Sequence, residues 1–216
     1  MTAELDRLTS QGVIAALANY NRIYGTVENI PAVEVDVTGW FARHQVENPP
    51  ESHKAILDAA LHFNSFSRFL NIFNHVDEKL LTDIQGATAI VAHALVVKDP
   101  NQRFAGLVGA ANDLADCKPW ENRFIAEQAR NFYTSLVQQL YIGIGQIDVH
   151  ELPEDVKSRI LRAITVPFCF DEAEETLAVL KDHSMLNDEE RISFLEGLTK
   201  FLDLSPDSTT NHQALT

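Results

Sequence analysis

The sequence predicts an all-α protein, a single irregular bundle of about eight to ten helices around a long central helix near residues 119–147. Apolar residues recur at three-and-four spacing through most of the chain, the pattern that stacks side chains on one helical face. Helix-opening pairs such as Asp77-Glu78, Asp99-Pro100 and Asn187-Asp188 separate these runs. No period of roughly 20–50 residues repeats, which argues against a regular solenoid.

The central stretch places Phe124, Ile125, Ala129, Phe132, Tyr133, Leu136, Val137, Leu140, Tyr141 and Ile144 on one side. Glu127, Arg130, Asn131, Gln138 and Gln139 fall on the other, expected to stay wet. Lys118-Pro119-Trp120-Glu121 is its expected opening, because a proline in the first turn has no amide to leave unpaired.

In chain order, residues 3–24 form a first helix with Leu5, Leu8, Val13, Leu17, Tyr20 and Tyr24 on one side, stopped at Gly25. Residues 29–31 connect it to Val33, Val35 and Val37, which alternate with polar residues as a strand does. The only partner for such a strand is 142–147. A minor two-stranded element is therefore allowed, but an isolated pair is marginal, and both segments are read as extended or helical ends. Thr38 caps a short helix through Trp40, Phe41 and His44, and Pro49-Pro50 resets the chain before a helix with Ile56, Leu57, Ala60 and Leu61. Asn74 and His75 interrupt, and Asp77 opens the run to Val97, whose residues 87–97 are apolar nearly all round and expected to be the most buried. Asp99-Pro100 opens a helix through Leu114, Pro153-Glu154 another through Leu161, and 166–170 are an apolar joint. Asp171 caps a further helix and Asn187 the last. The expected domain is residues 1–204, followed by a polar tail at 205–216.

The 216 residues carry a net charge of −14, from 31 acids and 17 bases. That balance opposes a general electrostatic grip on nucleic acid or on an anionic membrane. No apolar run follows a basic start, so no secretory leader is expected, and the longest apolar stretch is too short to span a bilayer. Cys117 and Cys169 sit in no close motif and read as free thiols of a cytoplasmic protein, with a single bridge between them the alternative.

No motif carries chemistry, so no catalytic residue, metal ligand or cofactor is assigned. None of the eight histidines follows a glutamate by three, and no two are four apart, which removes the common helical metal-ligand pairs. Asp58 with His62, and His150 with Glu154, share helix faces but fall short of a three-ligand site. His93, inside the most apolar run, reads as a satisfied core histidine or as a buried base or pocket donor. Cys117 before Lys118-Pro119 reads as a structural cysteine, or as a thiol activated at a helix start. Gly143-Ile144-Gly145 ends a helix instead of opening one, unlike a dinucleotide fingerprint.

Two biases remain. Phe63, Phe66, Phe69 and Phe73 form an aromatic wall, which is core by default and a ligand pocket in the alternative, with His93 as its polar anchor. Between residues 148 and 207, fifteen acids stand against six bases. Asp171, Glu172, Glu174 and Glu175 begin one expected helix there, and Asp188, Glu189 and Glu190 begin the next. They suit the positive helix ends, and together they form a candidate docking face for a basic protein partner. The leading expectation is thus a non-catalytic binding or regulatory protein acting through protein–protein contacts. A small-molecule carrier, or an enzyme whose groups converge only in three dimensions, are the rivals.

Overall fold

The computed structural model describes residues 36–149, 151–170, 178, 180 and 182–204, with side chains as far as 202. The helix expected over 3–24, the connector at 29–31, the extended residues 33–35, His150, the acids at 171–175 and the tail at 205–216 lie outside them. The chain divides at Asp36, and all the described helices belong to the second unit, Val37–Thr216.

These are seven helices packed into a bundle: α1 Val37–Arg43, α2 Glu51–Ile72, α3 Glu78–Val96, α4 Pro100–Cys117, α5 Ala126–Gln146, α6 Glu154–Thr165 and α7 Asp188–Leu204. Three of the seven starts carry a side-chain cap. The Asp77 carboxylate accepts from Leu80 N (2.8 Å) and that of Asp99 from Gln102 N (2.9 Å), each satisfying an amide that the first turn leaves unpaired. At α7, Asn187 Oδ1 accepts from Glu190 N (2.9 Å) and Glu190 Oε2 accepts from Asn187 N (3.0 Å), a reciprocal capping box. No strand occurs among the described residues: 142–146 are the last turns of α5, and Val37 opens α1. None of the described helices is long and apolar enough to cross a membrane.

The central helix starts later than its proline predicts. Lys118 adopts a left-handed backbone (φ 46°) and ends α4, and Pro119–Glu121 makes only a single 3-10 turn. Asn122 then bends the chain: its Oδ1 accepts from Phe124 N (3.0 Å) and its Nδ2 donates to His75 O (2.8 Å). Trp120, expected inside the helix, instead stacks edge-on against Tyr133 (centroids 5.2 Å apart).

From Ala126 onward α5 is surrounded by α2, α4, α6 and α7. Twelve of its 21 residues are buried, more than one stripe supplies, and among them is Gln139, expected on the wet face. With neighbours on several sides, α5 has no broad outer face for it. Phe132 meets Phe63 of α2 (5.8 Å), and the Tyr133 hydroxyl donates to Ala163 O of α6 (2.8 Å).

The contact with α7 is the most extensive in the bundle, and its cause is two glycines. A Cβ on Gly145 would run into the Ser193 carbonyl, and one on Gly197 into the Tyr141 carbonyl. The two backbones therefore touch. Lys200 Nζ reaches across to Gly145 O (2.8 Å) and Ile147 O (2.9 Å), a cation on the carbonyls left open at the α5 terminus.

Helix α3 differs from its expected burial. Leu81, Ile84, Val91 and Leu95 face the core, whereas Gly86, Ala89 and His93 are exposed. Small residues made the outer face look like core by composition, and helical periodicity puts His93 on that face.

Candidate functional site

The first turns of α2 and α7 meet α4 and α5 around an open cleft of about 200 Å³. Its floor is apolar, with Phe104, Leu107 and Ile142. Three of its lining residues are polar yet buried: His53 (7% exposed), Gln139 (4%) and Glu190 (6%). Such groups are costly inside a protein unless they are hydrogen-bonded.

Glu190 is fully engaged. One carboxylate oxygen closes the α7 capping box, and the other accepts from the Ser52 hydroxyl in the first turn of α2. An acid that looks like surface charge in the sequence thus joins two helix starts. His53 and Gln139 differ, since neither side chain has a hydrogen-bond partner among the described residues. Burial, and next the nearby Arg103 guanidinium, pull the His53 pKa down to about 4. Its ring is therefore neutral at pH 7, with one nitrogen to donate and one to accept.

Arg103, in the first turn of α4, is half-buried. Its Nε and Nη2 donate to Val97 O (3.3 and 3.0 Å), and it has no carboxylate at ion-pair distance among the described residues. A second cleft of about 550 Å³, lined by residues 45–49 and 95–98, shares Pro50, His53 and Arg103 with the first. No serine, threonine or cysteine lines the first cleft. The polar groups it presents are one guanidinium, a neutral imidazole, amides and the carboxylates of Glu189 and Glu190.

The residues singled out in the sequence lie elsewhere. Cys117 sits in a groove of about 310 Å³ with Lys79, Asp83, Asp113 and Asp116. As the last residue of α4 it occupies a negative helix end, not the positive start that its proline suggested. Burial, followed by Asp83, pushes its thiol up to about 11, so it is not an activated nucleophile. Cys169 is exposed, and both cysteines are free thiols. His62 Nε2 lies 3.4 Å from Asp58, and no three His, Cys, Asp or Glu side chains among the described residues are grouped to hold a metal.

Phe63 is 1% exposed, while Phe66, Phe69 and Phe73 are half-buried. His93 is exposed on α3. Asp188 and Glu189 are exposed at the α7 start, and Asp171, Glu172, Glu174 and Glu175 lie outside the described residues.

The sequence held one signal for the cleft. Gln139 follows Leu136 by three and precedes Gly143 by four, which puts it at the border of the apolar stripe and not opposite it, as Gln138 is. His53 and Arg103 carry no such mark, because each becomes distinctive only through its neighbours. No family model, curated protein or solved structure matches the chain.

Proposed function

We propose that the protein is a non-catalytic helical binding protein that holds a protein partner against the outer face of α7. The observation that supports this reading is a row of large apolar side chains turned to solvent, Ile192 (60% exposed), Leu195 (56%) and Leu202 (65%). With Thr199 they fall at the three-and-four spacing of a helix–helix seam. Glu190, Phe194 and Gly197 bury the opposite face, so the row is not surplus core. Apolar anchors at this spacing receive an amphipathic helix.

Charge narrows the choice. Asp188, Glu189 and Glu196 are exposed on the same helix, and Asp171, Glu172, Glu174 and Glu175 precede it in sequence. A partner helix whose apolar stripe is flanked by lysine or arginine fits this face, with charge speeding encounter. A second copy, itself at −14, meets repulsion.

The test uses two helical peptides with the same apolar stripe, one lysine-flanked and one glutamate-flanked. The lysine-flanked peptide should associate faster, with rates that fall as salt rises, and Ile192→Ser with Leu195→Ser should weaken it by roughly tenfold or more. Equal binding of the two peptides, or unchanged binding by the double variant, refutes the reading. Sedimentation showing a dimer that the same substitutions dissociate would assign the face to a second copy instead.

A further inference from the structure

Buried amides and imidazoles in native proteins nearly always find partners. Gln139 and His53, from α5 and α2, both lack one among the described residues, and both line the cleft of about 200 Å³. Arg103 commits two of the five N–H groups of a guanidinium, both to Val97 O. The cleft thus presents unused hydrogen-bonding capacity from three helices around one small volume. The polar ends of both side chains open onto the cleft instead of being sealed in the core, so a ligand entering the cleft meets them.

The charges set what fits. Arg103, from α4, offers a planar fork that suits a carboxylate. The Glu190 carboxylate is already occupied by Ser52 and Asn187, which leaves Glu189 as the acid available to a cation. Glu189 has no ion-pair partner among the described residues. A doubly charged anion would meet two glutamates beside one arginine, and a simple amine would leave the arginine unanswered. The volume lies below the roughly 300–1,000 Å³ of sites for drug-sized ligands, which indicates a smaller molecule.

We propose that this cleft binds a free α-amino acid, its carboxylate on Arg103, its ammonium group towards Glu189 and its side chain over Phe104 and Ile142. Gln139 and the neutral His53 hydrogen-bond its polar atoms and so satisfy their own. The start of α7 forms one wall of this site, so occupancy bears on the helix that carries the exposed apolar row.

The probes are the twenty standard L-α-amino acids, each with its decarboxylated amine and its N-acetyl derivative, titrated calorimetrically into the full chain. At least one amino acid should bind saturably, roughly tenfold or more tighter than its amine and its N-acetyl form. Arg103→Gln should erase the preference over the amine, and Glu189→Gln the preference over the N-acetyl form. Gln146→Trp, at an exposed rim position of the cleft, should block binding without disturbing the core, and it carries the test if Arg103→Gln does not fold. No saturable binding by any of the twenty overturns the proposal and leaves the cleft to water. Amines or N-acetyl forms that bind equally well, or affinity unchanged by Glu189→Gln and Gln146→Trp, overturn it as well.

Discussion

Along the last two turns of α5, Gly143 and Gly145 stand two residues apart and face different surroundings. Gly145 lies against the Ser193 backbone of α7, while Gly143 lies against the Phe104 ring of α4 at the edge of the cleft. The first seam is backbone on backbone with nothing between, and nothing in it can move without moving a helix. The second is a ring beside an open volume. One helix therefore has a rigid side and a side with room, and the His53 and Gln139 side chains open onto the side with room.

The largest expected effect tests that contrast directly. Gly145→Ala should cost about 3 kcal/mol or more, because a carbonyl cannot rotate out of the way and the helices must part. Gly143→Ala should cost less, about 1–2 kcal/mol, since the Phe104 ring must shift where a side chain can give more than a backbone and alanine favours the helix. Urea unfolding of the two variants measures both. Equal losses would mean that the side of α5 facing the cleft is as tightly packed as the α7 seam.

The pH dependence of the cleft comes next in size. His53 titrates near 6.5 when unfolded and near 4 when folded, so between those values the unfolded chain binds more protons. Stability should be fully present above pH 6.5, fall as pH drops towards 4, and lose roughly 3 kcal/mol from this residue. Arg103 opposes protonation, whereas Glu189 and Glu190 line the same cleft and favour it. His53→Gln should give a shallower loss between pH 6.5 and 4 by equilibrium unfolding. A steeper loss in that variant would show that the glutamates govern the ring.

Glu190→Gln should cost about 1–3 kcal/mol, because it weakens a charge-assisted cap and the buried bond from Ser52. Ser52→Ala should cost less in the Glu190→Gln background than in wild type, as a double-mutant cycle would show. The smallest effect belongs to Gln139. Its amide has no partner among the described residues to lose, so Gln139→Leu should change stability by under about 0.5 kcal/mol, or raise it. A loss like that of Glu190→Gln would reveal a partner for the amide and remove it from the groups open to a ligand.

The helices were legible because their causes are local. Asp77, Asp99 and Asn187 cap amides three residues away, and the stripe from Phe132 through Leu140 needs only helical periodicity to be recognised. The reading failed where a property depends on what lies opposite. Ala89 and His93 sit in an apolar run, yet both are exposed and no described helix covers their side of α3. Cys117 precedes a proline, yet the helix that matters is the one it ends. Glu190 reads as surface charge until Ser52, 138 residues earlier in the chain, donates to it. Periodicity and capping act within about one helical turn, and the residues alone determined them. Burial, protonation and the meeting of His53, Arg103 and Gln139 depend on contacts between distant segments. Only the tertiary structure decided those, because dielectric surroundings and hydrogen-bond partners belong to the packed arrangement and not to any single stretch of chain.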